Sequence, residues 1–230
     1  MSERKHLGRV AGLWYAAMAL TGPIGILYAP SQIHVSGDAA ATAASLLAHA
    51  TIARVGVLAS IACQVSFVFL VLALERYFEG VDRRLSRLMR ALVLVAAPIA
   101  IVNELTVLGA LEVVGGAGAA LAVPERDVIA LALLNVHALG VDAVAGMFWG
   151  LWLFPFGLLA IRSGFVPKLL GGLLILGGVS YVADASLALL APALRASVTG
   201  LLLLPLAAGE LSTVAWLLIK GARDPDLPRP

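Results

Sequence analysis

Charged residues are scarce in this sequence. They make up 13% of its 230 residues, about half the share found in a typical soluble domain. Hydrophobic residues make up 61%, and the mean hydropathy is +0.98. A soluble domain is therefore excluded, and the composition indicates an integral membrane protein. The net charge of +2 reflects basic residues at segment ends, so it gives no reason to expect nucleic acid as a partner.

Cysteine and histidine are scarce as well. The single cysteine, Cys63, lies inside an apolar segment, which excludes an intrachain disulfide and a zinc site built from cysteines. One histidine within a span and dispersed acids show no metal-ligand spacing such as HExxH. The sequence therefore predicts neither a bound metal nor a cofactor.

Apolar runs of membrane-spanning length fill most of the chain, since a bilayer crossing needs about 20 mainly apolar residues. We predict an all-α polytopic membrane bundle of six transmembrane helices, forming one integral membrane domain over residues 1–230. The predicted spans are about 7–28, 51–74, 88–113, 127–160, 169–190 and 198–219. A soluble tail is predicted over 221–230. The first run has spanning length and lacks a small-residue cleavage site, so we interpret it as a retained helix and not a signal peptide.

Local signals add detail to the first span and the segment after it. Pro23 predicts a kink, because proline removes a helical hydrogen bond. Asp38 predicts the N-cap of a short alanine-rich surface helix. Trp14, Tyr15 and Tyr28 are placed as interfacial anchors would be.

Basic residues predict the orientation. On a six-span layout, one side of the membrane holds only Arg54, Arg126 and Arg195 of the arginines and lysines. By the positive-inside rule, both termini are expected in the cytoplasm. The expected location is the cell inner (plasma) membrane, with membrane lipid as the immediate partner. With only six spans, a transporter would need a second copy, so a homo-oligomer is also expected.

Polar side chains lie deep within several predicted spans, where a charge costs ~2.5–3.5 kcal/mol on insertion scales. The candidate catalytic residues are four acids and one histidine: Glu104, His137, Asp142, Asp184 and Glu210. At ~1.5 Å per residue, their depths agree to within about 10 Å. We therefore predict that they share one pocket. The candidate substrate-binding residues are Arg54, Asn103, Asn135, Phe148, Trp149 and Tyr181.

Helical angles limit this prediction. His137 and Asp142 point about 140° apart on a regular helix at ~100° per residue, so one pocket receives both only if Gly140 marks a distortion. Tyr181 and Asp184 share a face of the fifth span. Gly177 and Gly178, one turn behind them, are expected to allow close helix approach.

Several of these residues also have a purely structural interpretation. Arg54 and Glu104 are placed to form an ion pair. Asn103 and His137 are each typical of side chains that join two helices by hydrogen bonds, and Trp216 fits an interfacial anchor. These alternatives stay open at the level of sequence.

Three functions fit the polar residues. The leading hypothesis is an intramembrane enzyme acting on a lipophilic substrate such as a prenyl chain or lipid, with a protonated carboxyl as general acid and an ionised one as base. Isomerisation or cyclisation suits such a set. The second is a transporter or receptor for an ion or small, cationic molecule. The third is a structural or regulatory membrane subunit.

Four segments carry a family resemblance: RVAGLWYAAMALTGPIGILYAPSQI, VSGDAAATAASLL, IRSGFVPKLLGGLLILGGVSYVADAS and GELSTVAWLLIKG. They resemble a bacterial multi-pass membrane family known only as domain of unknown function 4386. The resemblance covers nearly the whole chain. It implies a start motif at Arg9, Ala11, Gly12 and Tyr15, and an end motif at Gly209, Glu210 and Trp216. It implies no activity and no catalytic residue.

Overall fold

The computed structural model describes residues 3–117 and 120–223, and within those ranges every regular element is a helix. The α-helices are α1 Glu3–Pro23, α2 Ala29–Ile33, α3 Ala39–Ala48, α4 Ala50–Phe78, α5 Arg83–Glu112, α6 Val123–Leu139, α7 Gly146–Leu151, α8 Leu153–Ser163, α9 Lys168–Leu190 and α10 Pro192–Ile219. Three π-helical segments interrupt longer stretches: Ile24–Tyr28, Val113–Ala117 and Gly140–Ala145.

Six helical stretches are long and apolar enough to cross a membrane: Glu3–Ile33, Ala50–Phe78, Arg83–Gly116, Val123–Ser163, Lys168–Leu190 and Pro192–Ile219. Each contains one predicted span, so the all-α architecture of six spans is confirmed. The observed helices are mostly longer at both ends. The largest difference is α10, which begins at Pro192 because proline is favoured in the first turn of a helix. Residues 224–230 of the predicted tail lie outside the described residues.

Local sequence signals explain the irregular points of the first and fourth spans. The α-helical pattern ends at Pro23 and continues as the π-helical segment Ile24–Tyr28, which is the predicted interruption. A distortion does begin at Gly140, the position that the sequence named as a condition for His137 and Asp142 to share a pocket: it is the start of the π-helical segment Gly140–Ala145. Asp38 caps α3, because its carboxylate accepts a 2.8 Å hydrogen bond from the backbone N–H of Ala41.

The chain forms two compact units, and the first combines Met1–Ala17, Val65–Ala97 and Asp142–Pro230. Its core is aromatic. Trp152 stacks on Phe156 with ring centroids 5.2 Å apart and meets Phe67 edge-on at 4.8 Å. Tyr15 packs against the same tryptophan at 6.1 Å. These rings hold α1, α4 and the α7–α8 stretch together.

Glycines let α9 approach its neighbours closely in this unit. A Cβ atom on Gly178 would lie 2.9 Å from the carbonyl oxygen of Gly150, and one on Gly177 would lie 3.3 Å from Cα of Leu206. Gly171 and Gly157 face each other in the same way, each Cβ falling 2.6 Å from the other's carbonyl oxygen. The predicted role of Gly177 and Gly178 is therefore confirmed, and small residues set the helix spacing, as is common in membranes.

The second unit combines Met18–Gln64 and Pro98–Val141. Its core is aliphatic and is drawn from α2, α3, α4, α5 and α6. Val57 of α4 belongs to the same buried cluster as Val107 and Leu111 of α5, and Leu46 of α3 is fully buried within it. The short helix α3 thus covers its apolar face by packing inside this unit.

Candidate functional site

An arginine joins two of the predicted acids in the first unit. Arg195 Nη1 donates a 2.6 Å hydrogen bond to Asp142 Oδ2, while its Nη2 and Nε donate to Asp184 Oδ2 at 2.8 and 3.0 Å. Thr199 Oγ1 donates a 2.7 Å bond to the other oxygen of Asp184. We call Asp142, Asp184, Arg195 and Thr199 the acid–arginine cluster.

The local fold explains why these residues meet. Chain direction reverses at Ala191, between α9 and α10, so residues at similar distances on either side of it lie at similar heights. Asp184 precedes Ala191 by seven residues, and Arg195 and Thr199 follow it by four and eight. Arg195 and Thr199 are themselves four residues apart on α10 and share a face. Asp142 reaches the cluster from the π-helical segment Gly140–Ala145.

The cluster carries an excess of negative charge. Two carboxylates face one guanidinium, so the ionised set has a net charge of −1. The side chains are only partly covered, with 37% of Asp142, 23% of Arg195 and 20% of Asp184 exposed. The hydrogen bonds of the described residues occupy one oxygen of Asp142 and leave its Oδ1 as a spare acceptor.

A second polar pair lies deeper in the same unit. The phenol of Tyr15 donates a 2.9 Å hydrogen bond to Glu210 Oε1. The interpretation of Tyr15 as an interfacial anchor is wrong, because its side chain is completely buried in the aromatic core. Tyr181 lies on α9 of the same unit, and its ring meets Trp149 edge-on at 6.3 Å.

Phe148 lies on α7 beside Trp149 and is half-buried. The described ring contacts of this unit do not include it. Its predicted role in substrate binding stays a prediction.

Three of the polar residues that the sequence singles out lie in the second unit and form hydrogen bonds there: Asn103, Asn135 and His137. Asn103 Nδ2 donates a 2.8 Å bond to the carbonyl oxygen of His137 and lies 3.3 Å from its Nδ1. Gly140 makes room for this amide, because a Cβ there would overlap it. Asn135 Oδ1 lies 3.2 Å from Nε2 of His34. The contacts of Asn103 and His137 fit their structural interpretation, in which the two side chains join two helices by hydrogen bonds.

Glu104 is buried in the second unit, at 6% exposure. Its carboxyl interacts with the hydroxyl of Ser60, but the geometry falls short of a full hydrogen bond. The expected ion pair with Arg54 is absent from the described contacts, and Arg54 is exposed. Glu104 is therefore a buried carboxyl with no described basic partner.

The described hydrogen bonds do not join the predicted acids in one shared pocket. Within the first unit, Glu210 pairs with Tyr15, whereas Asp142 and Asp184 share Arg195. The described residues contain no group of three histidine, cysteine, aspartate or glutamate side chains placed to hold a metal ion. The catalytic roles assigned to Glu104, His137, Asp142, Asp184 and Glu210 stay predictions.

Sequence reasoning missed three functional candidates. The predicted sixth span begins at residue 198 and leaves Arg195 outside it, but Arg195 lies in the first turn of α10. Thr199 was not considered, and Tyr15 was assigned to the interface. The near-symmetric spacing of Asp184 and Thr199 about Ala191 was a usable signal, because an antiparallel hairpin brings such positions together.

The six apolar stretches and their buried polar residues define a multi-pass helical membrane protein. A family model described as "Domain of unknown function (DUF4386)" matches residues 10–221. The chain belongs to this family, as its sequence motifs predicted. No curated protein and no solved structure matches the chain.

Proposed function

We propose that this protein binds a small organic cation at the acid–arginine cluster and serves as a membrane carrier or receptor for it. One observation supports the proposal above the others: two carboxylates, of Asp142 and Asp184, share the single guanidinium of Arg195. A pair that serves only to fasten helices needs one charge of each sign. The additional carboxylate attracts a further positive charge.

Exposure and hydrogen bonding favour a cation over an anion. Asp142 is the most exposed of the three charged members of the cluster, at 37%, and its Oδ1 is the spare acceptor. Three of the five N–H donors of the Arg195 guanidinium already bond to carboxylates, and the second carboxylate repels an incoming anion. A ligand ammonium group would instead add a charge-assisted hydrogen bond to Asp142.

Aromatic rings next to the cluster suit an organic ligand. Tyr181 lies one turn before Asp184 on α9 and shares its face, and Trp149 packs against Tyr181. Ring faces attract cations within about 6 Å, and tryptophan does so most strongly. Carboxylate and aromatic groups side by side would therefore recognise an amine attached to an apolar body.

The enzyme hypothesis retains support from the buried Tyr15–Glu210 pair, in which a phenol and a carboxyl are placed to share a proton. It also required Asp184 and Glu210 to act together. Those two acids have separate partners in the described hydrogen bonds, which is why we favour binding over catalysis. A carrier with six spans is expected to work as a homo-oligomer, and its predicted location is the inner (plasma) membrane.

Three ligands that share one ring system test the proposal: tryptamine, its neutral analogue tryptophol and the anion indole-3-acetate. Each is added to the purified full-length protein in detergent micelles, and the melting temperature Tm is measured. We expect tryptamine to raise Tm in a saturable manner, by about 3–6 °C at ten times its dissociation constant. Equal responses to all three ligands would show that only the ring partitions into the protein and micelle.

The matched variants are Asp142→Asn and Glu75→Gln. The first removes the excess charge while keeping a hydrogen-bond acceptor for Arg195, so the tryptamine response should disappear. The second neutralises an acid that forms an ordinary pair with Arg90, and the response should persist. A tryptamine response that survives in Asp142→Asn would refute the proposed site.

A further inference from the structure

Two polar side chains of α4 are buried in the second unit without a hydrogen-bond partner among the described residues. They are Ser60, through its Oγ, and Gln64, through its Oε1. The residues are only 4% and 3% exposed. At least nine in ten buried polar groups have a partner in protein or ordered solvent, so a partner is expected for these two oxygens beyond the described contacts.

The two oxygens face the same region. Ser60 and Gln64 are four residues apart, so they lie on one face of α4. Helical side chains tilt toward the N-terminus, which places the Gln64 amide over the turn that carries Ser60. Both residues therefore present their oxygens on the same side of the helix.

Glu104 of α5 approaches the same place. Its carboxyl interacts with the Ser60 hydroxyl, and the neighbouring pair Val57 and Val107 packs in one cluster. Glu104 has no ion pair among the described contacts. A buried carboxylate needs a compensating positive charge, and no described side chain supplies it.

The backbone of the first span closes over Ser60 from another direction. A Cβ at Gly25 would overlap Ser60 Oγ and lie 2.8 Å from the carbonyl oxygen of Gly56. Gly25 belongs to the π-helical segment Ile24–Tyr28, and such segments occur frequently at functional sites. Glycine is therefore required by the close approach, because a side chain at this position would collide with Ser60 and Gly56.

We propose that Ser60, Gln64 and Glu104 form a binding site for one sodium ion. The three groups offer a hydroxyl, an amide oxygen and a carboxylate, which are the hard oxygen ligands that alkali and alkaline-earth cations take. One carboxylate balances one positive charge, whereas a divalent ion would leave an uncompensated charge among apolar side chains. Sodium would satisfy both orphan oxygens and the buried carboxylate together.

The test measures Tm of the purified full-length protein in detergent micelles, in sodium chloride and in caesium chloride at equal ionic strength. Caesium carries the same charge but is a much larger ion, so it serves as the reference cation. We expect a saturable rise with sodium of about 3–6 °C at ten times the dissociation constant. A wild-type Tm that is the same in both salts would overturn the proposal, since it would mean that Glu104 is neutralised by a proton instead.

Variants locate the effect. Glu104→Gln should abolish the sodium response, and Ser60→Ala and Gln64→Leu should each shift its midpoint to higher sodium concentration. Glu112→Gln is the matched control, because Glu112 lies at the end of the same helix but is exposed; its response should equal that of wild type. A full sodium response in Glu104→Gln would place the ion elsewhere and overturn the assignment.

Discussion

The hydroxyl of Tyr15 and the carboxylate of Glu210 are 195 residues apart in sequence and 2.9 Å apart in space. Tyr15 has no exposed surface, whereas Glu210 is half-buried, so the bond is partly buried. It connects α1 with α10 inside the first unit. The two residues lie in the start and end motifs that characterise the chain, which makes their contact a probe of the folded state.

Tyr15→Phe should lower the free energy of unfolding by about 0.6–1.7 kcal/mol, the range measured for hydrogen bonds between membrane helices. The phenylalanine keeps the aromatic packing, so the loss reports the hydrogen bond. Reversible unfolding in mixed micelles, followed by circular dichroism, measures it. A double-mutant cycle with Glu210→Leu isolates the pair, and Tyr28→Phe, at an exposed tyrosine, is the control. A coupling energy of zero would contradict the expectation.

Asp184→Asn should destabilise the protein more than Asp142→Asn. Asp184 accepts two bonds from Arg195 and one from Thr199, whereas Asp142 accepts one. Hydrogen bonds to charged groups contribute about 1.5–3 kcal/mol each when well formed. Either substitution leaves one carboxylate for one guanidinium, so the difference between the variants reports the number of hydrogen bonds. We expect a loss of about 1–3 kcal/mol for the first variant and less than about 1 kcal/mol for the second. The same unfolding measurement decides, and the reverse order would contradict the geometry.

Asp82, between the second and third candidate spans, should make stability depend on pH. It caps α5, and the backbone N–H groups of Leu85 and Arg84, with the Arg162 guanidinium, hold its pKa below the ordinary value. The unfolded chain therefore binds the proton more readily. The stabilisation is complete above the unfolded pKa, ~3.9, and is lost as pH falls through the lower folded pKa.

Asp82→Asn tests this dependence, because asparagine keeps the cap but not the charge. Wild type should exceed the variant in stability by a constant amount above about pH 5, with the difference shrinking below about pH 4. Thermal unfolding from pH 6 to pH 2 measures both proteins side by side. A difference that does not change over this range would show that the charge of Asp82 has no part in stability.

Two adjacent glycines of α9 should respond in opposite ways to alanine. A Cβ atom added at Gly171 would lie 2.6 Å from the carbonyl oxygen of Gly157, whereas a Cβ atom added at Gly172 would have no atom within 4 Å. Gly171→Ala forces the helices apart and should cost about 1–3 kcal/mol. Gly172→Ala should be neutral or stabilise by up to about 1 kcal/mol, from helix propensity alone. The pair of unfolding curves tests whether backbone contact sets the spacing; similar effects would argue against it.

The features that sequence predicted correctly are those set by local physics. The six spans follow from the lengths of the apolar runs, since backbone N–H and C=O groups in lipid must form their hydrogen bonds within a helix. The interruption at Pro23 and the cap at Asp38 follow from the residues themselves. The angular conflict between His137 and Asp142 named Gly140 as the position where a distortion would have to lie if both residues entered one pocket. None of these required knowledge of which helices are neighbours.

The polar partners could not be predicted, because they depend on which helix faces touch. Tyr15 resembled an interfacial anchor, as tyrosines near span ends usually are, and its acceptor comes from the far end of the chain. Arg195 resembles a loop residue because the predicted sixth span begins at Val198. A start at Pro192 would have placed it on the helix one turn before Thr199, at the height of Asp184.

A Cβ atom on Gly8 would lie 2.9 Å from Cα of Gly221, so two residues that are far apart in sequence are in contact. Contacts of this kind affect the order of events during synthesis of the protein. The first span leaves the ribosome long before its neighbour exists. At ~5–20 residues per second, roughly 10–40 s pass before Glu210 is synthesised and can accept from Tyr15. During biosynthesis the opening helix must therefore wait in the bilayer or the insertion machinery with its tyrosine unmatched, and closure of the first unit becomes a late step of translation.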